Sequence, residues 1–235
     1  MTDRDKSNDD DTSAARILGL PANRDELYPS EHPRVRLANS VRAVMQSIAT
    51  STADDEAVSS AVELVERAAR QLADGPHGRA YHGSAEGSLG GVPSGFQSHS
   101  PVTGPLNPLA GPVRLTASER EVVAEVTYGD AYEGPPGHVH GGVVAALFDE
   151  VLGLAQALSG HPGMTGRLEI SYRSPTPLHT PLRVTGRFDR VEGRKIFTSG
   201  EITAGDRLCA EAVGLFITID FSKLGQAGGR AFSAE

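Results

Sequence analysis

Two kinds of periodicity divide this chain. Between residues 35 and 48 the apolar positions Leu37, Val41, Val44, Met45 and Ile48 recur every three or four residues, which gathers them on one side of an α-helix. A second helical pattern fills residues 54–72 with Val58, Ala61, Val62, Val65, Ala68, Ala69 and Leu72. Thr52 or Asp54 can cap it, and Asp54, Asp55 and Glu56 bring negative charge to its first turn, where the helix dipole favours it. These two helices are expected to form a hairpin or to pack on the main body. From residue 75 to 112 Gly, Pro, Ser and His dominate and the period disappears, the mark of a linker or long loop. His77, His82 and His99 are scattered through it without metal-ligand spacing and read as surface histidines.

Beyond residue 112 the pattern becomes that of strands around one helix. Residues 113–115 and 121–127 are rich in β-branched side chains, and residues 129–139 form a Gly/Pro loop. Residues 141–158 are a long helix candidate, apolar on nearly every side. Strand-like runs follow at 167–172, 182–191, 195–203 and 207–220. The short breaks at Glu192 and Gly193 and at residues 204–206 predict hairpins and therefore an antiparallel sheet. A helix apolar all round has to be enclosed. A curved antiparallel sheet wrapped around a central helix does this, and so does a helix held between a sheet and a second subunit. The expected class is α+β, with an N-terminal helical extension.

Composition narrows the functions open to the chain. With 235 residues there is room for one or two units, and a net charge of −8 argues against nucleic acid as the main partner, because phosphate binding needs clustered Lys and Arg. The single Cys209 excludes an intrachain disulfide and any Cys-based metal site, and its strand-like surroundings predict a buried small side chain. Residues 1–13 are acidic and polar, without the features of a secretory signal, and read as a disordered tail. No stretch resembles a membrane span, because Asp149 and Glu150 interrupt the most apolar segment. A cytoplasmic protein is the expectation.

The chemistry concentrates in residues 132–150. Gly141 and Gly142 stand where a loop turns into a helix, so backbone N–H groups there can approach a ligand closely and hold a developing oxyanion. Asp149 and Glu150 are the only charges between Gly141 and Gly160, so at least one of them needs a partner, a water cavity or a task. His138 and His140 form a His-X-His pair, but a third ligand would have to come from Asp149, Glu150 or His161, so no metal is expected. Neither a Gly-X-Ser-X-Gly turn nor a phosphate loop ending in Gly-Lys-Ser/Thr is present.

The run His140-Gly141-Gly142, followed by an apolar stretch and Asp149, resembles the signature of hotdog-fold acyl-CoA thioesterases of the phenylacetate-pathway and human thioesterase-superfamily type. Residues 166–178 resemble the strand and Pro-containing turn that follow the family's helix, and residues 104–108 resemble the segment ahead of its first strand. The resulting organisation is a tail at 1–13, a helical extension at 14–75, a Gly/Pro/Ser-rich linker at 76–100, a hotdog domain at 101–222 and a flexible C-terminal tail at 223–235.

The resemblance implies hydrolysis of an acyl-CoA thioester to a free acid and CoA, with no cofactor, CoA being part of the substrate. Asp149 matches the acid that activates water or attacks the thioester carbonyl. Gly141 matches the residue whose N–H polarises that carbonyl, and Thr165 stands where relatives have a Ser or Thr that helps place the water. His140 matches the motif histidine that shapes the loop and contacts the thioester region, with Gly142 beside it. Some relatives carry an Asn or Gln upstream of the His, where this chain has Glu133 to Gly137. Arg167, Arg173, Arg194 and Lys195 are the nearest basic candidates for CoA phosphates, with Arg173 placed in the site.

Assembly follows from geometry. Gly141 and Asp149 lie eight residues apart, roughly 12 Å along a helix, whereas a nucleophile has to come within about 3–3.5 Å of the carbonyl carbon. Two antiparallel helices related by a two-fold axis bring Gly141 of one to Asp149 of the other, so a homodimer, or a tetramer built from it, is expected. Glu150 points about 100° away from Asp149 and cannot share its role. A non-catalytic acyl-CoA-binding or regulatory module on the same fold is the alternative.

Overall fold

The computed structural model describes residues 29–77, 96–161 and 163–218; the expected tails at 1–13 and 223–235, His82 and most of the linker lie outside the described residues. The two predicted helices are α1 (Pro33–Thr50) and α2 (Asp55–Ala73). Pro33 opens α1, a position where its missing N–H costs nothing, and of the two candidate caps for α2 it is Asp54 that accepts the Ala57 N–H, at 2.9 Å. A four-residue helical turn, α3 (Phe96–His99), precedes a loop into β1 (Arg114–Ala117) and β2 (Glu121–Val126). A short 3-10 turn (Asp130–Tyr132) then leads to α4 (Gly141–Ala157), and the chain ends in β3 (Gly163–Tyr172), β4 (Leu182–Glu192), β5 (Lys195–Ala204) and β6 (Arg207–Thr218).

The six strands form one sheet in the order β1-β2-β4-β5-β6-β3, with every neighbouring pair antiparallel. The β4–β5 and β5–β6 hairpins expected from the short breaks are present, and their turns use Gly193 and Gly205 at φ near +60°. On β5 the alternation is clean: Ile196, Thr198, Gly200 and Ile202 are buried beneath α4 and their neighbours turn away. The opposite face carries exposed ion pairs such as Arg187–Glu121 and Arg190–Glu192, whose contribution to stability is small. The architecture is the α+β hotdog arrangement, one helix held against a curved antiparallel sheet.

How the helix gets so close to the sheet is written in small side chains. Gly186 of β4 pairs with Gly200 of β5, which pairs with Ala212 of β6. A Cβ on Gly186 would lie 2.8 Å from the Val151 side chain, and one on Gly200 3.0 Å from that of Leu152. Val144, Leu147, Phe148, Val151, Leu152, Leu154 and Ala155 of α4 bury themselves on this floor. Cys209 is buried in the same core, as expected.

Among the described residues, the N-terminal extension joins the main body through α1. Val35 and Ala38 are buried, Gln46 accepts the Ala131 N–H, and the Arg42 guanidinium donates to the carbonyls of Gly104, Pro105, Asn107 and Ala110. Tyr132 reaches the same loop through Leu109, beside Tyr128, whose phenol is pushed far above its usual pKa by burial. Arg42→Ala strips four carbonyls of a charged donor, and we expect it to weaken α1 docking by about 1.5–3 kcal/mol. Amide exchange should then speed up across α1 and the 104–110 loop while β4–β6 keep their protection. Among the described residues no side chain of α2 is buried, so of the two expected arrangements, a hairpin or packing on the body, it is α1 that packs on the body.

Candidate active site

The start of α4 is built with care. His140 is its N-cap, and its Nδ1 accepts the Gly142 N–H at 3.0 Å. The His140 carbonyl accepts from Val143 and Val144, and the His140 N–H donates to Tyr132. Gly134 passes so close beneath that a Cβ there would lie 2.7 Å from the His140 Cα, hence glycine. Tyr172, at the end of β3, donates its hydroxyl to the Gly141 carbonyl at 2.8 Å. Of the two glycine N–H groups, Gly142's is therefore consumed by His140. That of Gly141 makes no hydrogen bond among the described residues and points outward with the positive end of the helix dipole.

Two turns on, Asp149 is exposed in the single chain, so the burial cost expected for it does not arise. Its Oδ1 accepts the Thr165 hydroxyl at 2.8 Å. That contact depends on an irregularity in β3. Leu168, Ile170 and Tyr172 face α4 at alternate positions, and strict alternation would send Thr165 to the other face. Pairing with β6 shifts between Thr165 and Arg167, with Gly166 as the extra residue, and this bulge returns Thr165 to the helix side.

Glu150 goes elsewhere: its Oε1 accepts the Thr103 hydroxyl at 2.9 Å, tying α4 to the loop ahead of β1. The structure thus gives the two adjacent carboxylates different partners on different sides of the helix. Glu133 accepts the Gly137 N–H at 2.6 Å and stays within its own loop. His138 contacts the Pro136 carbonyl through Nδ1, and with His140 committed to Gly142 the two rings serve the loop.

Of the sequence-derived site residues, Asp149 meets Thr165, while Gly141, Gly142 and His140 meet one another at the helix start. Arg173 belongs to neither group. Its Nε donates to Glu211 at 2.5 Å, and Arg167 is likewise paired with Glu169. Tyr172 and Thr103 were missed by sequence reasoning; no spacing rule announces a strand tyrosine that reaches a helix carbonyl.

The face of α4 turned away from the sheet is open. Gly142, Ala146 and Asp149 are exposed along it. Apolar packing on one side and an exposed, hydroxyl-bonded carboxylate on the other leave room for a ligand, or a second helix, against that face.

The sequence model of the thioesterase superfamily matches residues 136–211, which include Gly141, Asp149 and Thr165. A crystal structure of a thioesterase superfamily protein is 37% identical in sequence, superposes with a TM-score of 0.71, and covers 80% of this chain and 92% of its own. The chain belongs to the thioesterase superfamily. The overlap with that superfamily member is longer than the domain expected from the sequence: 80% of 235 residues is about 188, against the 122 residues of positions 101–222, so it takes in part of the N-terminal region too. A Pseudomonas aeruginosa protein is 31% identical over 131 residues, 53% of this chain and 96% of its own length. Acyl-coenzyme A thioesterase THEM4 of Xenopus laevis is 36% identical over 104 residues, 43% of this chain and 47% of that protein. The mouse THEM4 is 37% identical over 107 residues, 45% and 46%. The chain spans about half the length of these THEM4 relatives.

Proposed function

We propose that this protein hydrolyses an acyl-CoA thioester to a free carboxylic acid and CoA, in a site shared between two copies. The observation that carries the reading is the presence on one helix of an exposed Asp149, held by Thr165, and of a Gly141 N–H that makes no hydrogen bond among the described residues. The THEM4 relatives, named as acyl-coenzyme A thioesterases, support the substrate class.

In this reading the Thr165 hydroxyl fixes one carboxylate oxygen of Asp149, and the other faces the reacting centre. Water attacks the thioester carbonyl carbon as its proton passes to Asp149, and the carbonyl electrons move onto oxygen, where the Gly141 N–H of the second copy stabilises them. Collapse expels CoA thiolate, which takes up the proton. Direct attack by the Asp149 carboxylate gives an anhydride that water then opens. A single turnover in 18O-water that labels Asp149 identifies the second route, with water opening the anhydride at the Asp149 carbonyl, because general-base attack leaves both Asp149 oxygens unlabelled. His140 and Gly142 shape the loop beside the thioester, and Arg173 on the neighbouring surface can meet a CoA phosphate by exchanging its Glu211 partner. The protein is taken to act in the cytoplasm as a homodimer, or as a tetramer made of two, without a cofactor. No described helix is long and apolar enough to cross a membrane.

The sharing of the site is open to a complementation test. Gly141→Pro removes the proposed oxyanion donor at the first helical position, where proline is accepted, and His140 already has the extended backbone (ψ 133°) that precedes proline. Alone, Gly141→Pro and Asp149→Asn chains should each release little thiol from acyl-CoA. Refolded together in equal amounts, they should recover about a quarter of the wild-type rate, since half the dimers then hold one intact site of two. A mixture no more active than its parts, beside an active wild type, rules out a shared site. No thiol release by wild type from short, long or aromatic acyl-CoAs, with binding intact, leaves a binding module instead.

A further inference from the structure

We propose that the N-terminal helices are exchanged between copies, with α1 of one chain packing in parallel against α2 of the other. Both helices carry an outward stripe at alternating three- and four-residue steps, the spacing of a coiled-coil seam. In α1 the stripe is Arg34, Leu37, Val41, Val44 and Ile48; in α2 it is Asp55, Val58, Val62, Val65 and Ala69, followed by Leu72. The large apolar members are between 38 and 73% exposed, far from the solvent exclusion of a packed seam. Val35, Ala38 and Arg42 hold α1 to its own body from an adjacent face, so the seam stays available.

The two stripes match each other layer by layer. Each α2 member stands 21 positions, three heptads, after its α1 counterpart, so Arg34 falls opposite Asp55, Leu37 opposite Val58, Val41 opposite Val62, Val44 opposite Val65 and Ile48 opposite Ala69. A parallel pairing therefore seals four apolar layers and closes one end with a pair of opposite charges. Charge balance agrees: α1 carries Arg34, Arg36 and Arg42 with no acid, whereas α2 carries four acids and two arginines and is capped by Asp54. An antiparallel pairing would instead set Arg34 against Leu72 and leave Asp55 without its partner.

Orientation decides which chain supplies the partner helix. To lie parallel to α1 within one chain, the link from Thr50 to Asp55 would have to return along the whole helix, about 27 Å for its 18 residues. Five peptide steps span at most about 18 Å. The second helix has to come from a second copy, and a two-fold axis satisfies both stripes of both chains at once. This contact lies apart from the open face of α4 and does not depend on the thioesterase reading.

Single cysteines test it cleanly, because Cys209 is buried. Mass-distinguishable full-length chains carrying Leu37→Cys and Val58→Cys, mixed and treated with a short bismaleimide, should give the covalent heterodimer. Leu37→Cys mixed with Leu72→Cys should give at least tenfold less, since Leu72 lies about 21 Å further along the seam. No heterodimer from the first mixture overturns the proposal, and so does an intrachain link in the Leu37→Cys/Leu72→Cys double variant, which signals an antiparallel hairpin. Thiol release by the same variants is expected at the wild-type rate. Cross-linking without thiol release therefore counts only against the thioesterase reading, and thiol release without cross-linking only against helix exchange.

Discussion

Asp149→Asn should lower kcat for acyl-CoA hydrolysis by about 10²–10⁴-fold, the range over which a positioned side-chain base acts. The substitution is nearly isosteric, and the amide oxygen can still accept the Thr165 hydroxyl that Asp149 accepts at 2.8 Å. Asp149 is exposed in the single chain, so the fold loses no buried charge pair and the unfolding free energy should change by no more than about 0.5 kcal/mol. What disappears is the anionic oxygen that takes the proton or attacks the carbon. Acyl-CoA affinity, measured by calorimetry with the inactive variant, should stay close to that of wild type. A variant that keeps more than a tenth of wild-type kcat would remove Asp149 from the chemistry. Loss of activity together with a collapsed melting temperature would show instead that the residue holds the fold.

Gly200→Ala should be the most damaging small substitution in the sheet. Its Cβ would lie 2.5 Å from the Thr185 carbonyl oxygen and 3.0 Å from a Leu152 methyl, and the first of these is backbone and cannot rotate aside. Either β4 separates from β5 at the Gly186–Gly200 pair, or α4 lifts off the sheet. Overpacking of this kind costs about 2 kcal/mol or more, and in a chain of this size that lowers Tm by about 4–8 °C. Scanning calorimetry reads the effect directly. Because α4 carries both Gly141 and Asp149, thiol release should fall as well, in proportion to the helix displacement. A variant as stable as wild type would mean that the sheet floor has slack that the geometry does not show.

Much of the fold could be read along the chain because it rests on local patterns. The two N-terminal helices, α4 and the last three strands sit within a few residues of their expected positions, since 3.6-residue and two-residue periods reflect which side of an element meets the core. The start of β3 was less legible. Its period breaks at Gly166, so residues 163–166 lack the alternation that would mark them as strand. The helical extension shows the same limit from another side. Amphipathic spacing predicts that α1 and α2 have partners, but among the described residues α2 stays exposed, and a period cannot say which surface will cover it.

The site divides along the same line. Residue order pointed to the Gly141–Gly142 pair and to Asp149 or Glu150, because a glycine pair at a helix start and a lone pair of acids in an apolar helix are both costly unless something uses them. The resemblance to the thioesterase signature selected Gly141 and Asp149. Which of the two acids faces the open side, and what holds it, was decided in three dimensions. A one-residue bulge brought Thr165 to Asp149, a turn of about 100° along the helix sent Glu150 to Thr103, and a strand tyrosine closed on the Gly141 carbonyl. Those contacts join residues 16, 47 and 31 positions apart. Local propensity acts over a few residues, whereas contacts at such separations exist only once the sheet has set its register and the helix has settled on its glycine floor.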